Sequence, residues 1–397
     1  MSRYATLLLA MCIPLTLGFE VARDYSGQTF FDGWNFYGSW DNLTLGDVWW
    51  LNKTDAMSQR LAYINDAGRA IMKVDNTSVV PLNEKRNTVR IESQDFFDWG
   101  SLWVVDLAHI PFGCSVWPAF WSKGPLWPDD GEIDIIEGIN LMSNNQMALH
   151  TTAGCLHPAP PVQKGRNQNE DCGTGTGCTV GETAPNSFGP GFAAAGGGVW
   201  ATQFDVAGIF IWYWSRPDVP QNLVQSTSTS SLDISSWGPP TASYPAGPWC
   251  NITKFFSPQQ LVFDITLCGD WAGVDSIYDS SCRSSGPTGK CYNDNVVGPG
   301  SPKYDNAYFE VNYVRVYNSG QATPTPALPS NPAPPGSAEQ NGPTTTITST
   351  KVLGPPSQPA NLSPSDSTDK TSDAYMGRPT LPVYSIVAVL ALLFYAF

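Results

Sequence analysis

The sequence predicts an all-β fold of the sandwich or barrel class. Two observations carry this expectation. Short runs rich in β-branched and aromatic residues recur along the chain, separated by Gly, Pro and Asn turns. No stretch shows a sustained helical period with capping residues.

Taken in order, residues 63–74 supply an early strand candidate, and residues 88–93 alternate as a half-buried strand does. Residues 101–110 read as a clear strand running into a Pro111-Phe112-Gly113-Cys114 turn. Residues 131–138, Gly-Glu-Ile-Asp-Ile-Ile-Glu-Gly, form an Ile-rich strand bounded by glycines. Residues 155–200 read as a loop, with Pro158, Pro160 and Pro161, then Cys172 and Cys178, then three glycines at 196–198. A loop of that length is expected to be stapled by its cysteines or to serve a function. Residues 208–214, 261–267 and 307–317 supply further strands.

The chemistry concentrates in the Ile-rich strand. Glu132 and Asp134 are two apart, so the pleat points them to the same face. Glu137 is five beyond Glu132 and falls on the opposite face in a regular strand. One extra residue, a β-bulge at Ile135-Ile136, returns it to the face of the other two. Three acids on a strand are ordinarily a solvated face, but these interrupt a run that reads as buried. Carboxylates crowded on one partly buried face repel one another, and at least one pKa rises. One ionised carboxylate and one carboxylic acid flanking a bond is the arrangement that glycoside hydrolysis uses. Spacing alone leaves the carboxyl separation, and with it retention or inversion, open.

These residues carry a resemblance. Glu-Ile-Asp-Ile-Ile-Glu at 132–137 resembles the bulged active-site motif of glycoside hydrolase family 16, in its fungal laminarinase or endo-1,3(4)-β-glucanase branch. The surroundings match in order: the Pro-Phe-Gly-Cys turn, Trp117-Pro118-Ala119-Phe120-Trp121, Trp127-Pro128, Leu149-His150-Thr151 and Cys268-Gly269-Asp270-Trp271-Ala272-Gly273. The resemblance covers residues 25–318. It implies a concanavalin-like β-jelly-roll sandwich with a concave-sheet substrate cleft. It implies a nucleophilic Glu132, an acid–base Glu137, and Asp134 beside the nucleophile. It further implies that Trp117, Trp127, His150 and Trp271 contact sugar. No cofactor is implied for the reaction, and nothing marks ligands for the structural calcium some members bind. His109 reads as structural, His157 has no assigned role, and Trp121 reads as core. Stretches 202–208 and 212–216 and the loop 290–303 depart from the family pattern and leave substrate preference open. The rivals are a transglycosylase that remodels wall glucan and a silent glucan-binding lectin; intact acids argue against the lectin.

Composition agrees. The chain has 397 residues, a formal charge of −14 and a pI near 4.5, which disfavours nucleic acid and anionic surfaces and suits a neutral polymer such as β-glucan. Only 14% of residues are charged against 15 Trp, 15 Tyr and 18 Phe, a balance that suits a β-rich core and a sugar cleft. A monomer is expected. Residues 1–18, or up to 22, read as a signal peptide, with Arg3 before the apolar run 5–17. Cys12 lies in that segment, and the other eight cysteines imply up to four disulfides in an exported chain. The Cys-x-x-Cys or Cys/His pairs that zinc requires are missing from the sequence. Asn42, Asn52, Asn76, Asn251 and Asn361 stand in N-glycosylation sequons. Residues 19–318 are expected to form the catalytic domain. Residues 319–380 read as a Pro/Ser/Thr-rich stalk and 381–397 as the hydrophobic part of a GPI-anchor signal, with attachment at residues 372–374 or at Gly377. The expected location is the cell surface, on the plasma membrane or wall.

Overall fold

In the computed structural model, described over residues 18–160 and 162–319, two eight-stranded antiparallel sheets pack face to face. The expected signal peptide, stalk, anchor signal and Asn361 lie outside the described residues, apart from Gly18 and Ser319.

One sheet runs Arg166–Asn169, Cys178–Gly181, Gln146–His150, Glu132–Glu137, Val116–Lys123, Gln260–Leu267, Arg90–Ser93, Trp34–Phe36. The other is built on Ser101–His109, flanked by Gly198–Asp205 and Tyr308–Asn318. Alternation sorts each strand. In Val116–Lys123, Val116 and Phe120 enter the core between the sheets, while Trp117, Ala119 and Trp121 face away from it. Phe263 of the first sheet meets Phe309 of the second edge-on at 5.1 Å, a contact across the sandwich. The outer face of the second sheet is covered by Val219, Leu223, Leu232 and Trp237, which pack on Trp212 and Trp214.

Four disulfides join Cys114–Cys282, Cys155–Cys250, Cys172–Cys178 and Cys268–Cys291, using all eight cysteines of the expected set. Among the described residues the helices are short, the longest spanning Asp275–Cys282.

Two sequence expectations need correction. The 155–200 loop contains two strands of the first sheet, Arg166–Asn169 and Cys178–Gly181, and a helix at Gly189–Ala194. Arg166–Asn169 is wholly polar, so it shows no apolar alternation; main-chain pairing at the sheet edge makes it a strand. The expected staple is present as Cys172–Cys178, between these two strands. The 88–93 run is two strands, not one. Arg86–Thr88 pairs in parallel with Val48–Trp50, and Arg90–Ser93 joins the first sheet. Apart from half-buried Glu92 it is buried, because Thr88, Arg90 and Ser93 face neighbouring protein groups instead of water.

Candidate active site

The strand Glu132–Glu137 lies between Val116–Lys123 and Gln146–His150. Opposite Gln146–His150, Asp134 pairs with Ala148 but Glu137 pairs with Gln146, so Ile135 and Ile136 together oppose Met147. That is the expected bulge. Both isoleucines turn into the core, and Glu132, Asp134 and Glu137 emerge on one face. A bulge leaves backbone groups off the ladder, and here one side chain takes them. Buried Asn145 accepts the Glu137 N–H at 2.9 Å and donates to the Ile135 carbonyl at 2.8 Å. Asn145 is itself placed by Ser187, whose hydroxyl accepts its backbone N–H at 3.0 Å. Gly131 opens the strand with φ +80, and a Cβ there would stand 2.4 Å from the Phe256 ring.

The acids sit in different surroundings. Asp134 is buried, and burial, then the charge of Glu132, pushes its carboxyl well above the usual range. Burial likewise lifts Glu137 to about 7, with Glu132 adding to the rise. The Trp117 indole N–H, donating to Glu137 Oε1 at 2.9 Å, and His150 pull it back. His150 is the cross-strand partner of Glu132, and its Nε2 stands 3.3 Å from Asp134 Oδ2. Burial pulls the imidazole pKa down, but Asp134, Glu132 and Glu137 outweigh it and hold it at about 10. The Trp127 indole N–H donates to Glu132 Oε2.

The same face continues across the sheet as a cleft. Ala119 pairs with Glu137 on one side and Asp264 on the other, and Asp264 pairs with Arg90. The row Glu137, Ala119, Asp264, Arg90 therefore crosses four strands, and the small Ala119 side chain leaves room between the two acids. Leu43, Thr44, Trp50, Trp121, Trp127 and Thr266 complete the walls. Buried Arg90 pairs with Glu92 at 2.8 Å and lies over the rings of Tyr37, Trp50 and Trp121. Burial raises Asp264 to about 7, against Arg90 and the Trp121 indole N–H that donates to it at 3.0 Å.

The profile described as the XgeA-like catalytic domain of glycoside hydrolase family 16 matches residues 34–317. The chain belongs to this family. It is 36% identical over 308 residues to the endo-1,3(4)-β-glucanase xgeA of Emericella nidulans, covering 76% of this chain and 48% of that protein. A probable endo-1,3(4)-β-glucanase of Aspergillus fumigatus is 36% identical over 308 residues, 76% of this chain and 46% of its own length. The chain thus spans about half the length of the first curated relatives it matches. Among solved structures, laminarinase 16A of Phanerochaete chrysosporium, with β-glucans in donor and acceptor sites, superposes with a TM-score of 0.70 at 33% identity, over 76% of this chain and 99% of that one. A structure described as an elongating family 16 β-1,3-glucosyltransferase gives 0.69 at 35% identity, over 76% of this chain and 100% of that one.

Within this family 16 domain, Glu132, Asp134, Glu137, Trp117 and Trp127 all line the cleft. His150 stands beside them through Asp134. Trp271 lies outside the lining, half-buried, with its ring edge-on to Trp117 at 5.4 Å. His109 bonds through Nδ1 to the Tyr308 carbonyl at 2.7 Å and stacks on the Tyr308 ring, a structural setting. His157 is buried against Tyr244, and burial pulls its pKa down to about 4. Trp121 is buried as expected of a core residue, but its ring also forms cleft wall. Sequence reasoning passed over Arg90, Asp264 and Thr266. A signal existed: Asp264 and Thr266 are the two polar residues of the apolar run 261–267, and both occupy the same face. Glu132, Asp134 and His150 bring ligand atoms within 4.8 Å of one another. His150 Nε2 and Asp134 Oδ2 face each other at 3.3 Å within this cluster.

Proposed function

We propose that residues 19–318 form a retaining endo-β-1,3(4)-glucanase that acts on laminarin-type or mixed-linkage β-glucan. The observation that carries this reading is the bulge, which sets Glu132 and Glu137 on one cleft face and leaves Glu137 titrating at about 7. Glu132 attacks the anomeric carbon while Glu137 donates its proton to the departing glycosidic oxygen. The resulting glycosyl-enzyme is opened by water, from which Glu137, now a carboxylate, takes a proton. Asp134, buried between His150 and the nucleophile, keeps a polar partner beside Glu132. Trp117 and Trp127 present rings to sugar C–H faces and N–H groups to the two glutamates. No cofactor enters this scheme. Relatives named endo-1,3(4)-β-glucanase and a glucan-bound structural neighbour support the substrate class.

A second reading, transglycosylation, is favoured by likeness to the elongating β-1,3-glucosyltransferase. The glycosyl-enzyme can pass its sugar to another sugar instead of water. Incubating the protein with a defined β-1,3-gluco-oligosaccharide and weighing the products separates the two. Only shorter products are expected; longer products at substantial yield would assign transfer. Substrate left intact, with mixed-linkage glucan intact as well, would overturn both in favour of a lectin. The same proposal places the domain at the cell surface as a monomer, exported by residues 1–18 and held by a GPI anchor. Four disulfides support the oxidising route that export implies.

Asn145 gives a second test. Asn145→Ala strips partners from a buried N–H and a buried carbonyl, costing about 1–3 kcal/mol for each group left unpaired. It is expected to lower Tm by several degrees and kcat by about tenfold or more, because Glu137 loses its placement. Unchanged kcat in the folded variant would show that the bulge holds without this clamp.

A further inference from the structure

The pattern Trp-x-Asn-x-Thr occurs at residues 40–44, 50–54 and 249–253, each time enclosing a sequon. The structure separates the three. At the first, Trp40 is 46% exposed, Asp41 is fully buried and Asn42 is exposed. Asp41 Oδ1 accepts the N–H groups of Leu43 at 3.1 Å and Thr44 at 3.0 Å, and its Oδ2 accepts the Thr266 hydroxyl at 2.7 Å. Pinning Asp41 inward turns Trp40 and Asn42 outward together. Trp49, the antiparallel bridge partner of Trp40, sends a second half-exposed indole from the same face. Asn42 Oδ1 accepts the Tyr37 hydroxyl at 2.7 Å, and its Nδ2 makes no hydrogen bond among the described residues.

The third site repeats this arrangement. Trp249 is 59% exposed, Cys250 is buried in its disulfide and Asn251 is exposed. Asn251 precedes the helix Ile252–Phe255 without capping it through its side chain. Its Oδ1 accepts the Thr253 hydroxyl at 2.9 Å, and Nδ2 is again without a partner among the described residues.

The other two sequons among the described residues differ. Trp50 is 1% exposed, and Asn52 Nδ2 donates to Asp55 Oδ2 at 2.7 Å while Oδ1 caps the helix Lys53–Ser58. Half-buried Asn76 donates Nδ2 to Asp305 Oδ1 at 2.7 Å. A sugar on either nitrogen replaces one of its two hydrogens and has to fit beside the carboxylate already held there.

We propose that Asn42 and Asn251 carry N-linked glycans whose innermost N-acetylglucosamine lies on the exposed indole two residues earlier. The flat C–H face of the sugar covers ring surface otherwise left in water, while its hydroxyls stay solvated. Leu43 and Thr44 also line the cleft, so the Asn42 glycan stands at the cleft rim.

The test uses the full chain secreted from a eukaryotic host. Glycopeptide mass spectrometry is expected to find sugar on Asn42 and Asn251 in most copies and on Asn52 and Asn76 in few. Trimming to one sugar per site is expected to keep Tm about 2 °C or more above that of the N42Q/N251Q variant. In a W40A/W249A background that difference should vanish. Unmodified Asn42 and Asn251, or a Tm difference indifferent to the tryptophans, would overturn the proposal. So would loss of retention on β-1,3-glucan when W40A/W249A is added to N42Q/N251Q, since the rings would then belong to the substrate. These readouts need no turnover, so their outcome is separate from that of the glucanase reading.

Discussion

Glu132→Gln is expected to lower kcat on a β-1,3-gluco-oligosaccharide by about 10⁴-fold or more while leaving the fold intact. The substitution keeps the size of the side chain and an oxygen able to accept the Trp127 N–H, but removes the nucleophile. It also removes one of the charges that crowd Asp134, so stability should hold or rise. Circular dichroism and Tm close to wild type would assign the loss to chemistry. A companion variant, Glu132→Ala, opens space for a small anion. Azide should restore turnover there, giving a glycosyl azide of configuration opposite to that of the substrate. Wild-type rates in Glu132→Gln would sink the nucleophile assignment.

Glu137→Ala is expected to lower kcat/KM on the same substrate by about 10²–10⁴-fold. An aryl glucoside oligomer with a good leaving group needs little proton donation and should lose far less. The pH profile carries the sharper signature. The glycosylation step needs Glu137 protonated, and its carboxyl titrates at about 7 because burial and Glu132 disfavour the second charge. Wild-type kcat/KM should therefore fall as pH rises through about 7, approaching tenfold per unit beyond it, and the variant should lack that limb. Stability follows the same sign. A carboxyl whose pKa is raised by folding contributes most below its unfolded value, near 4.5, and that contribution is lost as pH climbs through about 7. Tm of the wild type should decline across that window more steeply than Tm of Glu137→Ala. A pH-independent rate from pH 6 to 8 would remove Glu137 from the acid role.

The two predictions rest on residues that were legible in different degrees. Glu132 and Asp134 needed only strand alternation. Glu137 needed a bulge, which the acid pattern demanded and the register supplies. Asn145 could not be read as the clamp, because its role depends on two backbone groups that become neighbours only when the ladder skips a residue. Arg90 drew no notice within the 88–93 run, yet it is enclosed by Glu92 and three aromatic rings drawn from three other segments. Trp271 matched a family motif, but the Trp117–Trp271 contact is set by how the Gly269–Ala272 turn packs, which a motif does not encode.

Sequence by itself determined the strand character of residues 101–110, 131–138, 208–214, 261–267 and 307–317, the placing of Glu132 and Asp134 on one face, and the even set of cysteines. Each follows from local chemistry: pleat alternation, β-branched composition and the reactivity of a side chain. Tertiary structure alone decided which distant residues meet. Glu137, Ala119, Asp264 and Arg90 form one row only because Val116–Lys123 pairs with Gln260–Leu267, and that strand with Arg90–Ser93. Sheet order departs from chain order, and the interstrand hydrogen bonds that fix it are the same for every residue type except proline, which lacks the N–H. Burial then completes the site, because the same carboxyl that ionises near 4.5 in water titrates at about 7 in the cleft.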